Sequence, residues 1–110
     1  MGFTSRDMYA VVDLPLFKRA IVKSQMSYQD IADDATRELR RIARAERKKN
    51  RGDGVPESVS KGLVGQLATG RADRTHELRA LALERALGCD AGDLFVSEVV
   101  RGTGTTKRPA

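Results

Sequence analysis

The chain has 110 residues, enough for one domain and too few for two, and a domain of that length can fold without metals or staples. Twenty Lys and Arg against fifteen Asp and Glu leave a formal net charge of +5; aromatic residues make up only 5%, with one cysteine, Cys89, and one histidine, His76. This arithmetic excludes an intramolecular disulfide and a Cys/His metal centre, argues against an aromatic-lined pocket, and points to a cytoplasmic, basic, non-enzymatic domain without a cofactor.

In chain order, residues 1–13 are weakly patterned and read as an arm or a short extended piece, without the apolar core of a signal peptide. Asp13-Leu14-Pro15 is a helix start, and Leu14, Phe17 and Ile21 recur at helical spacing, so helix 1 is expected over roughly 14–24. Ser27 is a good N-cap, with Asp30 three residues later, and opens helix 2. Ile31, Ala35, Leu39 and Ile42 continue one apolar stripe, which carries helix 2 to about residue 48. Asn50-Arg51-Gly52-Asp53-Gly54-Val55-Pro56 is a loop. Ser58 or Ser60 caps helix 3, which carries Leu63, Val64 and Leu67 and ends at Gly70.

Asp73 or Thr75 opens helix 4, expected over about 75–87 and ended by Gly88. Helix 4 is apolar nearly all round, which implies a second buried face, against the 36–57 segment or against a partner chain. Asp90 caps a short helix 5 containing Leu94 and Phe95, and Phe95 to Val100 has the composition of a strand. Residues 101–110 are Gly/Thr-rich and basic and are expected to be a disordered tail. The expected fold is all-α: an arm at 1–13, a five-helix domain at 14–95, and a short strand or tail at 96–110. The expected core is Leu14, Phe17, Ile21, Ile31, Ala32, Val59, Val64, Leu67, Leu83, Leu87, Leu94 and Phe95. No run approaches the ~20 apolar residues of a membrane span.

The charge is uneven. Residues 1–35 and 62–95 each carry net −1, residues 36–61 carry +5, and residues 96–110 carry +2. A local basic block releases counterions on meeting phosphates, so it favours nucleic acid or another anionic surface; the plain alternative is a solvated helix face with a loop.

Two segments together resemble the helix-turn-helix of the phage repressor and Cro family. Met26-Ser27-Tyr28-Gln29-Asp30-Ile31-Ala32-Asp33 stands in place of that family's first motif helix. Val59-Ser60-Lys61-Gly62-Leu63-Val64-Gly65-Gln66-Leu67-Ala68-Thr69-Gly70 stands in place of its recognition helix. Ala86-Leu87-Gly88-Cys89-Asp90-Ala91-Gly92-Asp93-Leu94-Phe95 is similar to the end of such domains, and the closest flavour is that of small repressors of actinobacterial phages. The resemblance implies a lambda-repressor-like fold and a sequence-specific regulator of transcription that occupies an operator in double-stranded DNA, as a homodimer at least on DNA.

Carried over by position, Lys61, Gly62, Leu63 and Gln66 would read bases. Tyr28, Gln29, Ser60, Thr69, Arg71 and Arg74 would touch the DNA backbone. Tyr28 stands where the family commonly has glutamine. The large departure is an insert of about twenty residues, 36–57, where the family has a short turn. It spreads Arg37, Arg40, Arg41, Arg44 and Arg47 over an extended helix 2 and places Lys48, Lys49 and Arg51 at the tip. Of these, Arg40, Arg44, Arg47, Lys48, Lys49 and Arg51 are candidates for further backbone contacts.

Two rivals remain. An antitoxin would hold a partner toxin on helix 4 and the tail. A non-specific or RNA-binding basic protein would show salt dependence without sequence preference. His76 is a surface or cap-region residue, and Cys89 packs as a small apolar group. Asp30, Asp33 and Asp34 suit the helix dipole better than a metal.

Overall fold

The computed structural model describes residues 9–48 and 56–98. Four helices and a three-stranded antiparallel sheet alternate in the order β1 (Tyr9–Val12), α1 (Leu14–Ser24), α2 (Tyr28–Lys48), α3 (Lys61–Thr69), β2 (Arg74–His76), α4 (Glu77–Ala86) and β3 (Phe95–Glu98). The all-α, five-helix, lambda-repressor-like architecture expected from the sequence is thereby corrected to a mixed one.

Local chemistry accounts for the helix boundaries. The Asp13 carboxylate accepts from the Leu16 amide at 3.3 Å and Pro15 sits inside the first turn of α1. The Ser27 hydroxyl accepts from the Asp30 amide at 3.0 Å and the Ser60 hydroxyl from the Leu63 amide at 3.0 Å, so each satisfies an orphan donor. Gly70 ends α3 with φ +84°, and a Cβ there would lie 3.3 Å from Leu14 Cδ2, so a side chain would be both strained and crowded.

Helix 4 was expected to open near residue 75. Instead 74–76 form β2, and α4 begins at Glu77 with His76 as its cap, Nδ1 accepting from the Leu78 amide at 3.1 Å. The short helix 5 does not form. Gly92 takes φ +91°, and the amides of Gly92, Leu94 and Phe95 all donate to the Glu84 carboxylate, at 2.9 to 3.2 Å, instead of entering a helical ladder.

The sheet order is β2-β1-β3. Residues 9–12, expected as part of an arm or as a short extended piece, are its middle strand, with Ala10 opposite Thr75 on one side and Ser97 on the other. Ala10, Thr75 and Phe95 point into the core, while Tyr9 and Val96 face outward. Phe95 meets Phe17 of α1 edge to face, with ring centroids 5.7 Å apart. Backbone bonds from Val12 to Asp73 (2.9 Å) and from Asp13 to Leu94 (2.8 Å) tie the start of α1 to the segments that follow α3 and precede β3. The sheet thus braces the exit of α3.

The core joins all four helices. Phe17, Ile31, Leu39, Val64, Leu67 and Leu83 are its largest fully buried side chains. Of the others expected in it, Ile21 and Leu87 are half-buried and pack against it, and Leu14 is half-buried. The second buried face of α4 is met within the chain: α2 and α4 share the most extensive helix contact, and Leu39, Ile42 and Ala43 of the extended α2 are buried together with Ala80, Ala82 and Leu83 of α4.

Candidate nucleic-acid interface

α3 divides cleanly into two faces. Val64, Leu67 and Ala68 are buried, whereas Lys61, Gly62, Gln66 and Thr69 are exposed. With 3.6 residues per turn those four fall on one side of the helix, so three of the four residues expected to read bases share its solvent face. The fourth, Leu63, is half-buried against the core and stands at the margin of that face. The helix contains no acidic residue. Its capped N-terminus directs unpaired amides outward near Lys61, an arrangement that favours an anion.

The two glycines of α3 differ. A Cβ on Gly65 would sit 3.5 Å from the Tyr28 ring, in ordinary van der Waals contact with it. A Cβ on Gly62 would meet only the Ser60 hydroxyl, at 3.8 Å, and otherwise open space. Packing forbids a side chain at neither position, and the missing side chain of Gly62 keeps the outer profile of α3 low.

The expected backbone contacts are placed as follows. Tyr28 is half-buried with its ring against Gly65. Gln29 is exposed and donates to Asp33 at 2.9 Å. Ser60 is occupied as the cap of α3, and Thr69 donates back to the Gly65 carbonyl at 2.9 Å. Arg71 is exposed just past the end of α3, and Arg74 lies in β2 beside Asp73, at 3.2 Å. Arg40 and Arg44 are exposed on α2. The side chains of Arg47 and Lys48, and the whole of Lys49 and Arg51, lie outside the described residues, as do 99–110.

One residue that the sequence did not single out fixes how α2 meets α3. Thr36 Oγ1 accepts from the Val59 amide at 3.0 Å and donates to the Val59 carbonyl at 3.1 Å. The chain leaves the α2–α3 contact after Thr36 and returns to it at Val59, so the insert is closed at its base by one hydroxyl using both its donor and its acceptor capacity. Arg79 of α4 adds a bond to the Ser58 carbonyl at 2.9 Å. The only sequence signal for Thr36 is a β-branched polar residue beside an apolar helical stripe. Glu84 was missed as well: a glutamate in an Ala/Leu-rich helix suggests a surface position, yet it is 2% exposed.

Burial first, then the negative charges of Asp93, Glu84 and Asp90, pushes the Cys89 thiol up from its ordinary value. Among the described residues no group of three or more His, Cys, Asp and Glu is placed to hold a metal ion, and no helix is long and apolar enough to cross a membrane. Compared with protein-family models, curated proteins and solved structures, the chain matches none.

Proposed function

We propose that this protein is a sequence-specific double-stranded-DNA-binding regulator of transcription that reads its site with the outer face of α3. The observation that carries this reading is that face itself. Lys61, Gly62 and Gln66 stand exposed on an acid-free helix whose opposite side is locked into the core by Val64, Leu67 and Ala68. A helix of this width fits the major groove, where Lys61 can donate to guanine O6 or N7 and Gln66 can pair with adenine. Leu63, at the margin, offers an apolar contact to a thymine methyl. Ser60, Thr69 and Arg71 frame the helix at both ends, where phosphates lie. A single module of this size makes few contacts, so tight binding calls for a homodimer on a two-fold operator, where occupancy blocks polymerase.

The antitoxin alternative places a partner toxin on α4 and the tail. The buried face of α4 packs on α2 of the same chain, and the tail from residue 99 lies outside the described residues.

Selection from random duplexes followed by footprinting tests the proposal. One two-fold symmetric site is expected. Lys61→Ala and Gln66→Ala should each weaken binding to it by about 1–3 kcal/mol and relax base choice at one position, with the fold retained. Unchanged site preference in both variants would show that α3 is not the reading element. Binding without any preference, or a preference for RNA, would return the protein to a general basic binder.

A further inference from the structure

α2 uses its arginines unequally. Arg37 is ion-paired with Asp34, and Arg41 with Glu38 at 3.3 Å, while Arg85 of α4 reaches the same Glu38 at 3.8 Å. Arg40 and Arg44 are exposed and carry no ion pair or side-chain hydrogen bond among the described residues. The helix offers them no acid either. Three and four positions from Arg40 stand Thr36, Arg37, Ala43 and Arg44; three and four positions from Arg44 stand Arg40, Arg41, Arg47 and Lys48. Like charges at those spacings repel, and this same helix places acids at them for Arg37 and Arg41.

The uncompensated pair does not lie on a loose excursion. Leu39, Ile42 and Ala43 are buried beneath it, so the extension of α2 is a packed platform. Its position relative to α3 is set by the Thr36–Val59 clamp, one residue before the cap of α3. Arg40 and Arg44 lie one and two turns beyond Thr36, about 6 and about 12 Å along the axis, on the same flank and drifting toward the outer face. They therefore stand exposed on α2 beyond the point where it is held to the residue that precedes the cap of α3.

We infer that Arg40 and Arg44 form a second binding strip for phosphodiester groups, which grips the backbone of the same duplex beside the stretch that α3 reads. This rests on the α3 reading, and its chemistry is charge complementarity: two exposed guanidiniums without an ion-pair partner among the described residues, carried on a helix packed into the core, each match a backbone phosphate. The strip adds affinity and register but no base choice.

The test compares Arg40→Gln/Arg44→Gln with Arg37→Gln/Arg41→Gln in the full chain, titrated with the selected duplex and a scrambled one across a range of salt. Loss of two phosphate contacts should shallow the slope of log affinity against log salt by about 1.8, alike for both duplexes. The ion-paired control should lose less than half as much, and Arg40→Lys/Arg44→Lys should restore most of the slope. An unchanged slope in the first double variant overturns the inference, whether or not Lys61 and Gln66 prove to read bases. Equal losses in the two double variants also overturn it, because net charge alone would then explain the effect. A protein that binds no duplex overturns both this strip and the α3 reading. Weakened binding to an acidic protein with duplex binding intact would assign the strip to a different partner and overturn it as stated.

Discussion

Replacing Glu84 by alanine removes a buried carboxylate that organises the segment between α4 and β3. Its carboxylate accepts from the amides of Gly92 at 3.1 and 3.2 Å, Leu94 at 2.9 Å and Phe95 at 3.0 Å. Gly92 is exposed, so water can take its place there, but Leu94 and Phe95 are each only 4% exposed, and their amides would be left without an acceptor. A buried donor orphaned in this way costs about 1–3 kcal/mol, so the two together cost about 2–6 kcal/mol. Domains of this size hold only about 5–15 kcal/mol in total. The damage would also spread, because the Leu94 carbonyl accepts from Asp13 at the start of α1 and Phe95 packs edge-on against Phe17.

Urea unfolding followed by circular dichroism measures the loss. With a slope near 1.5 kcal/mol per molar, the midpoint should fall by more than about 1 M. Glu84→Gln keeps the shape and one acceptor oxygen but turns an NH2 toward the remaining donors, so it should fall between alanine and wild type. A midpoint shift below about 0.3 M for Glu84→Ala would refute the reasoning, since the amides would then have other acceptors.

The base of the insert gives a second test. Thr36→Val keeps the shape but strands the Val59 amide and carbonyl; it should cost about 1–3 kcal/mol and weaken duplex binding, whereas Thr36→Ser should stay near wild type in both assays. Equal melting of the Val and Ser variants would show that the hydroxyl does not hold the insert closed. Cys89 gives a third: its pKa is raised by burial and by Asp93, Glu84 and Asp90, so less of it is thiolate at neutral pH. Alkylation by iodoacetamide should be slower than for an unhindered thiol and should accelerate in urea; a native rate equal to that of the free thiol would place the side chain in solvent.

What was legible in the sequence was local. Asp13, Ser27, Ser60 and Gly70 each advertise a helix end by chemistry confined to a few neighbouring residues, and the apolar steps from Ile31 to Ile42 carry the extension of α2 on periodicity alone. The sheet was not legible as a sheet. Its strands have three or four residues, too few for alternation to register, and β1 finds its partners more than sixty residues away at 74–76 and 95–98. Helix 5 failed for the same reason. Asp90 and the apolar pair Leu94-Phe95 satisfy a local helix rule, but a carboxylate from the preceding helix claims the amides that a helix would need.

The candidate site divides along the same line. The inward and outward faces of α3 follow from helical spacing, so Val64 and Leu67 against Lys61 and Gln66 could be read directly. Leu63 is half-buried because its phase lies at the boundary between the two faces, where tertiary packing decides. Segment 36–57 is the harder problem, since about twenty residues between the paired parts of α2 and α3 look disruptive. Lengthening a connection costs little, because closure entropy grows only with the logarithm of its length. Here the segment also gains burial, as Leu39, Ile42 and Ala43 are buried where α2 packs on α4. A clamp at Thr36 and Val59 then returns the chain to the point where it left. The pairing of α2 with α3 is therefore kept across the long connection, and the added turns of α2 form a packed extension on which Arg40 and Arg44 stand without an ion pair among the described residues.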